Sequence, residues 1–227
     1  MIELIQVPWS PFCLVQKRIL EYSGQRFKTT NIPPQERALI WKLTRQRYYQ
    51  VPVIRDGRSV VFETDDTSQV IAKYLDAKLE LGLFARQWDG VQQILWRYIE
   101  DQVEGLTFRL NDAHYQKFVP SAERLQYIRF KERKFGRHCL EQWLQQQDQL
   151  RAQLAAKLLP FEQMLATRDF LLDRQPRFVD FNLWGMLANF LYSGNYRLPS
   201  EHPRLSRWYE RLTKIKYADV SREKLHT

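Results

Sequence analysis

Every strand signal in this chain lies ahead of Leu79, and past that point only helical periodicity remains. Residues 2–7 (IELIQV) read as a short apolar strand ended by Pro8. In the stretch that follows, Cys13, Leu14, Ile19 and Leu20 mark one face of a helix, and Gly24 supplies its stop. Residues 26–32 (RFKTTNI) suit a second strand, and Pro33-Pro34 opens a helix expected to run through 33–50. Residues 51–63 (VPVIRDGRSVVFE) read as strand, Asp56-Gly57 turn and strand. Residues 64–79 are helical, with Thr64 or Asp65 available as the N-cap. The order is β-α-β-α-β-β-α. A βαβ unit followed by a ββα unit requires a mixed sheet covered by helices.

The rest of the chain contrasts with that. Residues 80–90 (ELGLFARQWDG) read as a linker, and Val91, Ile94, Leu95, Tyr98, Ile99 and Leu106 then recur at helical spacing. Residues 120–166 are expected to hold one or two long helices, with Gly136 as a kink and Pro160 as a break or a helix start. Residues 177–194 form a very apolar helix suited to burial, ending at Gly194, and Pro203 starts a final helix. The predicted organisation is an α/β domain over 1–78, a linker over 79–90 and an all-α domain over 91–227.

Composition limits the function classes. With 227 residues the chain can bury a core without covalent staples. Its two cysteines, Cys13 and Cys139, exclude a disulfide scaffold. No apolar run approaches a membrane span, and the first residues carry no signal-peptide pattern, so the cytoplasm is the expected compartment and no membrane partner is expected. The net charge of +9 reads either as a basic, solvated surface or as an attraction for anions such as a small acidic ligand. The densest basic stretch, RFKERKFGRH (129–138), alternates with apolar residues as a helix face does, and neither zinc-finger spacing nor an aromatic RNA-binding motif accompanies it, so nucleic acid is not expected as a partner. The histidines at 114, 138, 202 and 226 show no metal-ligand spacing.

Five motifs occur in order. PWSPFC (8–13) follows the first strand, VPVI lies at 51–54 and FETDDTSQVIAKYLD at 62–76, FLLDRQPRFVDFNLWGML covers 170–187, and HPRLSRWYERL covers 202–212. Together they resemble the cytosolic glutathione transferases over nearly the whole chain. The resemblance implies a thioredoxin-like βαβαββα N-terminal domain followed by an all-helical C-terminal domain, a homodimer, and glutathione as co-substrate with no metal. Two positions depart from the family pattern. Asp173 stands where a glycine is usual. Arg177 replaces the helix-capping Ser or Thr, although Asp180 keeps its place three residues on, so the capping box is incomplete.

The strand–helix junction carries the chemistry. A thiol–disulfide enzyme places a reactive cysteine at the exposed start of the helix and a second one turn inside. Here Ser10 takes the outer place and Cys13 the inner, although Pro-Phe-Cys is similar to glutaredoxins and omega-like transferases. A serine hydroxyl can hydrogen-bond the sulfur of bound glutathione and favour its thiolate. One charge-assisted hydrogen bond contributes roughly 1.5–3 kcal/mol, enough to lower a thiol pKa by about one to two units. Ser10 acting only as an N-cap is the alternative, and Cys13 is either a second catalytic group or a small buried side chain. By the resemblance, Phe12, Val51 and Pro52 (with a cis peptide between the last two) line the glutathione groove. Glu63 pairs the γ-glutamyl ammonium, while Thr64 and its helix N-terminus take the carboxylate. Arg37, or else Lys42, takes the glycyl carboxylate. Trp9, Tyr98, Phe108 and Tyr115 are the expected walls of the co-substrate pocket. The expected activity is attack of the glutathione thiolate on an electrophilic carbon, or cleavage of an ether or thioether. A thiol oxidoreductase or a non-catalytic binding protein on the same fold are the alternatives.

Overall fold

The structure is a computed structural model that describes residues 1–65 and 69–219. Residues 66–68, within the helix expected over 64–79, and His226 therefore lie outside the described residues. Four strands, β1 (Ile2–Gln6), β2 (Phe27–Asn31), β3 (Val53–Asp56) and β4 (Ser59–Val61), form one sheet in the order β2-β1-β3-β4. β1 pairs parallel with β2 and antiparallel with β3, and β3 pairs antiparallel with β4, which is the mixed sheet that a βαβ-then-ββα order demands. Ile2, Leu4 and Ile5 of β1 are buried on both faces, because helices lie on each side.

Helix α1 (Pro11–Ser23) follows β1 and stops at Gly24, whose φ of 73° is the left-handed geometry a glycine supplies cheaply. Helix α2 is only Ala38–Leu43, far shorter than the expected run over 33–50. Arg45 and Gln46 adopt positive φ, and the Thr44 hydroxyl donates to the Tyr48 carbonyl at 2.7 Å, so the chain turns out of the helix there. Helix α3 (Val70–Leu79) begins later than Thr64 or Asp65, after Gln69 at a φ of 50°. The segment between α3 and the next helix is anchored: Leu83 is buried, and its N–H donates to the Asp76 carboxylate at 2.7 Å.

The second half is all helix. α4 (Asp89–Tyr98) passes through a widened π turn (Ile99–Glu104) into α5 (Gly105–Asp112). Such turns gather at functional sites. Residues 120–166 hold three helices instead of one or two: α6 (Arg124–Phe135), α7 (Cys139–Gln145) and α8 (Gln147–Met164). Gly136 at a φ of 96° and His138 at 57° end α6 outright. Pro160 neither starts nor breaks a helix and sits inside α8, at an exposed position on the last turns. α9 (Phe178–Leu191) is buried through nearly its whole length, and α10 (Pro203–Lys214) closes the domain. Among the described residues no helix is long and apolar enough to cross a membrane.

The start of α9 bears out the incomplete capping box. The Asp180 carboxylate accepts the Arg177 N–H at 2.8 Å, but a guanidinium has no acceptor to return, and the Asp180 N–H goes to the Arg177 carbonyl instead. The Arg177 side chain turns outward to pair with Asp173 and the Gly82 carbonyl. Asp180 also receives the Leu171 N–H and the Trp208 indole N–H, both at 2.9 Å, which ties α9 to α10.

α9 packs along α1, and this contact fixes the junction between β1 and α1 from behind. At Gly185 the two backbones approach so closely that a Cβ would lie 2.9 Å from both the Pro11 carbonyl oxygen and the Val15 nitrogen. Arg18 on α1 is fully buried, and its guanidinium donates to the Leu212 and Ile215 carbonyls at 2.7 and 2.6 Å, meeting the negative end of α10.

Candidate active site

The β1–α1 turn opens on a cleft between the sheet domain and the helical domain. Ser10 precedes α1 with φ −64° and ψ 127°, and its hydroxyl makes no capping hydrogen bond to the helix. Its backbone does the local work: the N–H donates to the Val7 carbonyl at 3.0 Å, and the carbonyl accepts the Leu14 N–H at 2.9 Å. Because Pro11 occupies the first helical position, it removes one of the end's free donors. The turn is also held by α9, since the Asn189 side-chain amide donates to the Trp9 carbonyl at 2.7 Å.

Cys13 lies one turn in and is fully buried. Burial pushes its thiol up to about 12, against hydrogen bonds with Ser10 and the Val7 backbone and the nearby Arg37 charge. It borders neither of the cavities described next. The structure therefore separates the two residues named as catalytic: Ser10 faces the cleft, and Cys13 is a neutral thiol packed behind it.

The cleft has two lobes. One, of about 560 Å³, lies between α1, the 48–52 segment, residues 63–65 with Gln69, and the α4–π segment, and it is lined by Phe12, Val51, Pro52, Glu63 and Thr64 among others. The other, of about 630 Å³, lies over Ser10 toward α5 and α6, and its lining includes Trp9, Ser10, Phe12, Arg37, Val51 and Phe108. Phe12, Gln50, Val51 and Glu104 border both. The Val51-Pro52 peptide is cis, and Val51 lies just ahead of the β3 ladder, whose pairing starts at Val53. Arg37 carries its guanidinium 6.0 Å over the Phe130 ring, and burial lowers its pKa. Lys42 borders neither lobe.

The Glu63 carboxylate accepts the Val70 and Ile71 N–H groups at 2.6 and 3.2 Å, so it occupies the start of α3 that was expected to receive a ligand carboxylate. Thr64 is exposed beside it. Deeper in the same lobe, Gln16 Oε1 and Gln69 Nε2 are buried and have no hydrogen-bond partner among the described residues. Unpaired buried polar groups are costly unless something completes them.

Two of the four expected pocket walls belong elsewhere. The Tyr98 hydroxyl donates to the Lys157 carbonyl at 3.1 Å and its ring meets Phe161 edge-on, which makes it packing between α4 and α8. Tyr115 stacks on Tyr127, one layer behind the cavity surface. Trp9 and Phe108 line the larger lobe together with Tyr127, Phe130 and Phe135. Sequence reasoning also missed Gln50, Asn189 and Glu104. Asn189 carried a signal, a polar residue inside a helix that is otherwise apolar. Glu104 carried none, because its place in the cleft depends on the π turn. Burial pushes its carboxyl up to about 7, helped by Glu100 and Asp112 and opposed by Lys134 and Lys131.

A four-stranded mixed sheet with covering helices, an all-helical second domain and a two-lobed cleft meeting at a cis-proline define a thioredoxin-like domain joined to a transferase-type helical domain. Family models agree: the glutathione S-transferase N-terminal domain matches residues 4–81, and the glutathione S-transferase C-terminal domain matches residues 141–211. The chain belongs to the glutathione S-transferase family. Among solved structures it is similar to glutathione transferase GSTFuA3 from Phanerochaete chrysosporium (16% identity, 93% of this chain and 95% of that one, TM-score 0.78). It is also similar to the glutathione S-transferase CsGST63524 of Ceriporiopsis subvermispora in complex with glutathione (14% identity, 93% and 94%, TM-score 0.76). A third similar structure is glutaredoxin 2 from Salmonella typhimurium in complex with glutathione (16% identity, 97% and 98%, TM-score 0.70). No curated protein matches the sequence.

Proposed function

We propose that this protein is a glutathione transferase in which Ser10 activates the thiol of bound glutathione for attack on an electrophilic carbon, or for cleavage of an ether or thioether. The observation that carries this reading is the Ser10 hydroxyl, left free of helix capping in the wall of the larger lobe, two residues before Phe12, which borders both lobes. Solved relatives of the same fold are complexes with glutathione, and the smaller lobe suits that tripeptide. Val51, ahead of the cis-proline, would pair its backbone with the cysteinyl unit as an added strand does. That directs the cysteinyl sulfur toward Ser10 and the start of α1, where a hydroxyl donor and the helix dipole favour thiolate.

The γ-glutamyl end would lie along Glu63, Thr64, Gln16 and Gln69. The Glu63 carboxylate, fixed at the start of α3 by two N–H groups, supplies the negative charge for the ligand ammonium. The unpaired Gln69 amide and the Thr64 hydroxyl are then the donors for the ligand carboxylate. Arg37 takes the glycyl carboxylate. The thiol-oxidoreductase alternative loses support because the only cysteine near the cleft is buried and holds its proton far above neutral pH. On family grounds we also take the protein to be a cytoplasmic homodimer, and sedimentation showing monomer alone would correct the assembly.

The test is Ser10→Ala. Glutathione affinity by calorimetry stays within about two-fold, because the hydroxyl favours the anion and adds little to binding the neutral thiol. The ultraviolet thiolate absorbance of bound glutathione falls about ten-fold or more at pH 7, and conjugation falls with it. Unchanged thiolate absorbance in the variant removes Ser10 from the chemistry.

A further inference from the structure

The transferase reading assigns the larger lobe to a co-substrate, and the composition of that lobe narrows which one. Its inner walls are aromatic, with Trp9, Phe108, Tyr127, Phe130 and Phe135 around about 630 Å³, room for a fused-ring molecule. Its charges do not balance. Asp112 and Lys131 form an ion pair within the wall and cancel. Glu104 is the remaining acid, and its raised pKa leaves it only partly ionised near neutrality. The other cations of the lining are Arg37, Arg133 and Lys134.

Arg37 belongs to the glycyl end of glutathione in this reading. Arg133 and Lys134 have no such duty. The Arg133 Nε donates to the Arg129 carbonyl at 3.4 Å, and the Lys134 ammonium lies 5.2 Å from the Phe135 ring centre. Neither has an ion-pair partner among the described residues. Both sit exposed on the last turn of α6, at the mouth of the lobe. A position in the last turn also suits the helix dipole, but that contact leaves their charge toward the lobe in place.

We propose that the larger lobe selects a co-substrate with a flat aromatic body bearing an anionic group, the ring seated among Trp9, Phe108 and Phe130 and the anion held at the mouth by Arg133 and Lys134. The aromatic floor supplies affinity through buried area and ring stacking, while the rim cations choose between charged and neutral ligands of one shape.

The test uses two probes of matched shape, naphthalene carboxylate and naphthalene carboxamide, titrated calorimetrically into the full-chain protein with and without saturating glutathione. The carboxylate binds about ten-fold more tightly than the carboxamide. In an Arg133→Gln/Lys134→Gln double variant the preference drops to about two-fold. An Arg151→Gln/Arg197→Gln variant removes two charges from a hollow that shares no lining residue with the lobe and controls for the net charge of +9. It keeps the preference within about two-fold of the parent.

Equal affinity of the parent for the two probes overturns the proposal, and so does an equal loss of preference in both double variants. Retention of the parent on immobilised glutathione is scored separately. Retention without probe preference sinks only the substrate class. Probe preference without retention sinks the glutathione reading and leaves the anion-selective site standing.

Discussion

Two helices start at this cleft, and the protein treats their N-termini in opposite ways. α1 begins with Pro11 and keeps the Ser10 hydroxyl out of its capping, in the wall of the larger lobe. α3 begins at Val70 with its first N–H groups taken by the Glu63 carboxylate. The start of α1 is held by distant parts of the second domain: Gly185 against Pro11 and Val15, Asn189 on the Trp9 carbonyl, Arg18 on the end of α10. Among the described residues, the start of α3 is held by the Glu63 carboxylate from a nearby loop. The Ser10 end of α1 therefore depends on packing against the second domain, whereas the described contacts at the start of α3 are local. Each of the following changes breaks one side of that contrast.

Gly185→Ala has the largest effect. A methyl group there meets the α1 backbone at the Pro11 carbonyl and the Val15 nitrogen, and neither can rotate away as a side chain could. Overpacking against backbone costs about 3 kcal/mol, and because α1 must move, the Ser10 position moves with it. Denaturant unfolding reads the stability loss, and the thiolate absorbance of bound glutathione reads the displaced hydroxyl. A variant as stable as the parent, with full thiolate signal, would show that the close approach does not govern the site.

Glu63→Ala tests the other helix. It removes a charged acceptor from two N–H groups at the start of α3, a loss of about 2 kcal/mol at most where the site is partly solvated. Glutathione affinity falls about ten-fold, because the ammonium loses its partner. The Ser10–Pro11 end should be untouched, so glutathione forced to bind at high concentration still shows its thiolate. Loss of that thiolate signal would show that the two helix starts are coupled.

Glu104 stands between the two lobes, and its titration reports how dry their meeting point is. Its folded pKa is raised to about 7, above the unfolded carboxyl near 4.5, so the native state holds a proton that the unfolded chain has released. Stability from this group is therefore complete below about pH 4.5, declines as pH rises toward 7, and is flat above it. The groups facing it are Glu100, Asp112, Lys131 and Lys134. Glu104→Gln removes the decline, so the variant gains on the parent by about 1 kcal/mol between pH 5 and pH 8 after allowance for partial exposure. Parallel stability curves for parent and variant would mean that water reaches the carboxyl freely.

The contrast also separates what the sequence made legible from what it hid. The β1–α1 turn, the Val51-Pro52 pair and the apolar α9 lie in local patterns: a strand ended by Pro8, a proline after Val51, an unbroken apolar run. The short α2 was hidden because its limit is set by Arg45 and Gln46 at positive φ, a conformation no propensity assigns to them. Pro160 misled for the opposite reason, since an exposed helix position near the C-terminus tolerates one missing N–H. Among the pocket candidates, Trp9 and Phe108 were separable from Tyr98 and Tyr115 only by knowing which turn of helix faces which neighbour. Glu104 reaches the cleft because of the π turn, which shifts the face that follows it, and periodicity counted at 3.6 residues places it elsewhere.

Asn189→Ala is the smallest change and the most selective one. Asn189 lies on α9 one turn beyond Gly185, and its side-chain amide is the contact from that helix to the Trp9 carbonyl. Its own Oδ1 is buried without a partner, so the substitution removes one made hydrogen bond and one unsatisfied acceptor together. The two effects offset, and net destabilisation stays under about 1 kcal/mol. The Trp9 carbonyl, however, loses the donor that sets the peptide plane just before Ser10. The thiolate fraction of bound glutathione should therefore fall about two- to three-fold while glutathione affinity and the unfolding midpoint barely move. Such a split between activation and stability is what a positioning role predicts. A proportional drop in all three would instead reduce Asn189 to ordinary packing, and would place the control of the α1 start in Gly185 and Arg18 alone.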